Sequence, residues 1–135
     1  MDIKQHNNQI SCSAQINPED VSTLAEQGFK LIINNRPDGE AEGQPSNAEI
    51  AAAAEAAGLD YAYIPIQREL PQDSIDTLKE LLANAKGPVL AYCRTGTRST
   101  NLWIMTLNAE NRVPAMEHAR TLGYDLSLSS KALNT

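Results

Sequence analysis

Val89-Leu90-Ala91-Tyr92-Cys93-Arg94-Thr95-Gly96-Thr97-Arg98-Ser99 is the stretch from which the fold is read. A short apolar run ends in a cysteine, a loop rich in arginine, glycine and hydroxyl residues follows, and Thr100-Asn101-Leu102-Trp103-Ile104-Met105 continues with helical character. That order is strand, tight loop, helix. Unpaired N–H groups converge where a loop curls into a helix N-terminus, so the place suits an anion. A thiol set there is favoured as thiolate, the form that acts as a nucleophile. Arg94 and Arg98 add positive charge to the same loop. A cysteine at a strand end is, by itself, usually an inert small hydrophobe. The two arginines, the glycine and the hydroxyl residues around Cys93 argue instead for a reactive one.

Outward from this loop the chain alternates strands and helices. Toward the N-terminus, residues 60–65 read as a strand with Tyr61 and Tyr63 on one face, and 73–85 as a helix with Asp73 as cap and Ile75, Leu78, Leu81 and Leu82 on its core stripe. Leu31-Ile32-Ile33 lies in a strand over 30–34, apolar on both faces and therefore buried on both. Ser46-Asn47-Ala48-Glu49 is a capping box opening an alanine-rich helix to Ala57, closed by Gly58. Asn17 as N-cap, Pro18 and two acids predict a helix ending before Gly28. Residues 9–16 alternate and read as a first strand at a sheet edge, and residues 1–8 as a loose tail carrying His6. Beyond the loop, helices are expected over 99–108, 114–122 and 127–133. This alternation predicts an α/β fold: a mostly parallel sheet of four to five strands with helices on both faces, one domain over 1–135. Ligands of such sheets bind beyond the C-terminal strand ends, where loops 34–40, 67–72 and 93–99 meet.

Composition narrows the function. The net charge of −6 argues against nucleic acid as a partner, because a phosphate backbone needs a basic face. No stretch is apolar for a membrane span, and the N-terminus lacks the apolar core of a signal peptide, so a cytoplasmic protein is expected. His6 and His118 have no companions at metal-ligand spacing, and no cofactor is implied. Cys12 and Cys93 are expected as free thiols, Cys12 structural.

The loop resembles two enzyme groups. Cysteine-dependent phosphatases carry Cys, five residues and Arg; rhodanese-type sulfurtransferases carry Cys, four residues and Arg. Cys93 to Arg98 has the shorter spacing. With Asn34-Asn35-Arg36-Pro37-Asp38-Gly39-Glu40, Tyr63-Ile64-Pro65-Ile66 and Gly123-Tyr124-Asp125, the chain is similar nearly end to end to the phosphatase-like domains of beta-lactamase hydrolase-like proteins. The resemblance implies a fold like dual-specificity phosphatases, and association with persulfide-oxidising enzymes. On the family pattern Cys93 is the nucleophile, Arg98 holds the substrate's anionic oxygens by a forked contact, and Ser99 eases departure of the Cys93 sulfur. Thr95, Gly96, Thr97 and Arg94 supply amides and the rim.

Arg36 and Asp38 are further candidates, although Pro37-Asp38-Gly39 is also good turn chemistry. Dual-specificity phosphatases place a general-acid aspartate in the loop that here holds Arg68 and Glu69; no aspartate matches it, and Glu69 is the available substitute. Phosphoryl transfer gains from such an acid. Sulfane transfer does not need one, and its smaller group suits a loop shortened by one residue. The sequence therefore favours a sulfurtransferase acting on a small anionic or persulfide substrate through a Cys93 persulfide. The alternatives are a phosphatase-like hydrolase acting through phosphocysteine, and a non-catalytic anion-binding module.

Overall fold

The computed structural model describes residues 1–134. Its centre is a five-stranded sheet in the order β1-β2-β5-β3-β4, with β1 Ile3–Gln5, β2 Ile10–Ser13, β3 Leu31–Asn34, β4 Asp60–Tyr63 and β5 Val89–Tyr92. β1 runs antiparallel to β2 and the other neighbours are parallel. Helices α1 Asp20–Glu26, α2 Asn47–Ala57, α3 Gln72–Asn84, α4 Thr97–Met105, α5 Ala109–Thr121 and α6 Ser127–Leu133 cover it.

Pleating sends alternate residues of the central strands to opposite faces. Leu31, Ile33, Val89 and Ala91 meet Ile75 and Leu78 of α3, Leu102 of α4 and Met116 of α5. Ile32, Leu90 and Tyr92 meet Val21 and Leu24 of α1 and Ile50 and Ala54 of α2. Each of the valines, leucines, isoleucines and the methionine contributes about 1.5–3 kcal/mol through burial, so both faces of β3 and β5 are fixed. That fixes their C-terminal ends, where the Cys93–Ser99 loop begins.

Several boundaries differ from the sequence reading. Residues 1–8 are not a loose tail: Ile3–Gln5 pairs with Ser11–Ser13, and His6 is buried. Asn7 causes the reversal, its Oδ1 accepting from the Gln9 and Ile10 N–H groups at 2.8 Å each. The strand predicted at the edge is consequently interior. α1 starts at Asp20 because residues 17–20 form a preceding turn, with the Asp20 carboxylate accepting from the Asn17 N–H rather than Asn17 capping. Pro71, not Asp73, occupies the cap position of α3. α5 begins at Ala109, five residues before Pro114, because the Asn108 side chain accepts from the Asn111 N–H and starts the helix there. The capping box at Ser46 and Glu49 and the left-handed Gly58 cap are both formed.

Candidate active site

Cys93 leaves β5 at the sheet's C-terminal end and is buried. Gly96 turns the loop with φ +91° and serves as the N-cap position of α4. A side chain there is strained by that backbone angle and blocked: a Cβ would lie 2.9 Å from Tyr124 Oη and 3.2 Å from the Ser13 carbonyl oxygen. The Gly96 N–H donates to Cys93 Sγ at 3.1 Å. Of the amides expected around the sulfur, that of Thr97 is instead directed to Thr95 Oγ1 at 3.4 Å. Thr95 and Arg94 are exposed on the rim, and the Arg94 carbonyl accepts from the Gln15 N–H. Ser99 is fully buried, and its Oγ has no hydrogen-bond partner among the described residues.

The neighbouring strand exits converge on the loop. The Ile64 and Ile66 N–H groups bond to the carbonyls of Asn34 and Asn35, so the chain after β4 runs on beside the end of β3. This presents the Ile66 carbonyl to Arg98 Nη1 at 2.8 Å. Glu40, arriving from the loop after β3, grips Arg98 end-on: Nη1 donates to Oε2 at 2.7 Å and Nη2 to Oε1 at 2.8 Å. Arg36, itself buried, holds Glu40 from behind through Nε at 3.0 Å and donates from Nη1 to Gln15 Oε1 at 3.1 Å. The forked contact from Arg98 is thus made to a carboxylate of the same chain. These bonds occupy both Nη1 hydrogens and one on Nη2, leaving Nε–H and the second Nη2–H as the edge that points elsewhere.

Charge follows geometry. Hydrogen bonds from Arg98, then from Arg36, hold the Glu40 carboxyl down at about 2 against some desolvation. Arg98 is pushed up, chiefly by Glu40 and with a share from the Cys93 thiol. Cys12, on the face of β2 beside Cys93, is pushed up to about 12 by burial. It is a free thiol in the core, as is Cys93.

The remaining candidates separate from this centre. Asp38 accepts from the Asn47 N–H at 2.7 Å, at the start of α2, and its own N–H donates to Tyr63 Oη. It is thereby committed to the turn and to the helix start. Glu69 lines an open groove of about 690 Å³ with Asp38, Tyr63 and Arg68, a groove that neither Cys93 nor Arg98 lines. Gln67 and Arg68 connect it to a second, of about 490 Å³, that Glu40 and Arg98 do line. Glu40 carries no role in the sequence beyond its place in loop 34–40, because its partner Arg98 lies 58 residues away.

Comparison with known proteins bears on the family and the fold. The sequence profile of the family described as "Beta-lactamase hydrolase-like protein, phosphatase-like domain" matches residues 2–109. A beta-lactamase hydrolase-like protein of Agrobacterium fabrum is 36% identical over 131 residues, covering 94% of this chain and 30% of the relative. One from Xylella fastidiosa is 35% identical over 132 residues, covering 93% and 30%. The chain therefore spans about a third of the curated relatives' length. A Neisseria meningitidis structure, provisionally named a phosphatase, superposes with TM-score 0.76 at 33% identity, covering 94% of this chain and 92% of that one. Tk-PTP in its active form superposes with TM-score 0.70 at 16% identity, covering 98% and 93%, a likeness of fold alone. These neighbours are phosphatases or named for them; none is named for sulfur transfer.

Proposed function

We propose that this chain, which belongs to the phosphatase-like domain family of beta-lactamase hydrolase-like proteins, is a cysteine-thiolate enzyme that takes sulfane sulfur onto Cys93. The observation carrying this reading is that, among the described residues, no acid is placed at the sulfur. Asp38 is bound to the start of α2. Glu40 stays ionised down to about pH 2. Glu69 lines a groove apart from the sulfur. Expulsion of an alkoxide or phenoxide is helped typically 10²–10⁴-fold by a positioned proton donor; expulsion of sulfite or a thiolate needs none.

In this reading the open edge of Arg98 takes two oxygens of the donor. The Gly96 N–H, already on the sulfur, steadies negative charge as it moves. With thiosulfate, the Cys93 thiolate attacks the outer sulfur. A Cys–S–S bond forms, the bond to the sulfonate breaks, and sulfite leaves with its electron pair. A thiol or sulfite acceptor then removes the terminal sulfur and returns the thiolate. Ser99 Oγ, buried and without a partner, is available to donate to the returning thiolate. A persulfide-oxidising enzyme as partner belongs to the same proposal, as does a cytoplasmic location; the described residues contain no helix long and apolar enough to cross a membrane.

The second reading is phosphate-ester hydrolysis through phosphocysteine. It is favoured by the family description and by the superposition on the Neisseria meningitidis structure. Exposure of the protein to thiosulfate and, separately, to an aryl phosphate decides between them. A mass gain of one sulfur atom that is lost in Cys93→Ser, with no phosphate turnover, is the expected result. Phosphate release dependent on Cys93, without sulfur uptake, transfers the assignment to the hydrolase.

A further inference from the structure

The segment Gly123-Tyr124-Asp125 plays no part in the chemistry above, yet it reaches the reactive loop. Tyr124 presents the edge of its phenol to Gly96: a Cβ on Gly96 would lie 2.9 Å from Oη and 3.1 Å from Cε1. Gly96 is also the residue whose N–H touches the sulfur. The phenol has little freedom. Lys4 Nζ stands 5.6 Å from the ring centroid and donates to the Leu122 carbonyl at 2.8 Å. The His6 ring lies 5.5 Å away on one side, itself stacked on Trp103 at 4.7 Å. Asn101, buried in α4, donates to the Asp125 carbonyl at 2.9 Å and to the Thr97 carbonyl at 2.8 Å, tying the segment to the helix that the loop opens.

We infer that the Tyr124 hydroxyl is a positioning residue of the active site, confining Gly96 so that its amide stays on Cys93 Sγ. The N-terminal arm, through Lys4 and His6, is the backing of that contact. Burial raises the phenol's pKa, so the hydroxyl remains neutral over the working pH range. Without the hydroxyl, Gly96 gains room where its Cα faces Tyr124. The N–H bond to Sγ then lengthens, and the thiolate loses part of its stabilisation. This holds whichever anion the enzyme uses.

The test is the pH profile of Cys93 alkylation by iodoacetamide, read by peptide mass, in the wild type and in Tyr124→Phe. Phenylalanine keeps the ring and its packing, so the fold is retained. We expect at least threefold slower labelling of Cys93 at pH 6 and a profile displaced to higher pH. Cys12, buried in the same core, is the internal control and stays unlabelled. A Tyr124→Phe profile superimposable on the wild type overturns the inference. So does labelling of Cys12 alongside Cys93, which shows general loosening rather than a local contact.

Discussion

Replacing Glu40 by Gln removes the charge that holds Arg98 while leaving a side chain of the same length. In the wild type Glu40 accepts two bonds from Arg98, at 2.7 and 2.8 Å, and one from Arg36 at 3.0 Å. Glutamine offers one carbonyl oxygen; its amide presents N–H to a guanidinium that can only donate. One charge-assisted bond to Arg98 is therefore lost outright, worth about 1.5–3 kcal/mol when shielded. The Glu40 side chain is 28% accessible and Arg98 15%, so the lower end applies. If that orientation energy is spent in the transition state, kcat/KM falls about tenfold, and up to about a hundredfold with full shielding. The assay is kcat/KM for thiosulfate and for an aryl phosphate, with the melting temperature and Cys93 alkylation as controls. An intact variant within twofold of wild type refutes the clamp. A second outcome also refutes it. Because Glu40 is ionised down to about pH 2, it contributes no limb to the rate profile near pH 4–5; disappearance of such a limb in Glu40→Gln marks it as a proton donor.

Four further outcomes are expected. Folded His6 titrates at about 4 against 6.5 unfolded; the unfolded chain binds the extra proton, so stability is lost as pH falls from about 6.5 to 4, by at most about 3 kcal/mol. Urea unfolding at pH 7 and pH 4.5 measures the loss, and His6→Phe, which keeps a ring on Trp103, flattens it. Gly96→Ala, at φ +91° and 2.9 Å from Tyr124 Oη, costs about 1–3 kcal/mol by thermal melting and suppresses sulfur uptake by Cys93. Cys93→Ser abolishes activity on either substrate class, read by mass and by phosphate release. Glu69→Gln leaves sulfur transfer within about twofold, whereas a drop of around 10² or more with poor phosphate leaving groups identifies Glu69 as an acid.

The parts of this molecule legible in its sequence are those set by local chemistry. Ser46 and Glu49 lie three apart and make their box whatever surrounds them. Leu31-Ile32-Ile33 has no polar side to expose, so it lies in the sheet interior. The strand-loop-helix order around Cys93 follows from an apolar run, a left-handed glycine and the residues after it. What could not be read depends on partners far apart in the chain. β1 is three residues long, too short to show alternation, and exists because Asn7 turns it back onto β2. His6 looks like a tail residue until Trp103 and Thr100 are beside it. Glu40 reads as turn polarity because Arg98, the residue that gives it meaning, is supplied by another strand exit.

The clamp has one more consequence, for charge. Arg36, Glu40 and Arg98 form a triad whose formal sum is one positive charge, on a chain whose net charge is −6. With Glu40 held at about 2 and Arg98 pushed up, neither of these two changes state near neutral pH. The anion site therefore has fixed charge and fixed geometry. In the proposed reading it attracts a substrate oxyanion through one guanidinium edge, against the longer-range repulsion of a chain whose net charge is −6. Salt consequently acts in two opposed ways, weakening the local contact and screening the general repulsion, and the two partly cancel within a Debye length of about 8–10 Å. A site of this kind selects by shape at the Arg98 edge more than by total charge. Neither Glu40 nor Arg98 is therefore expected to add a limb to the rate profile near neutral pH. An acid limb, a bell in place of a plateau, would mean that a proton donor is at work and would return the enzyme to phosphoryl chemistry.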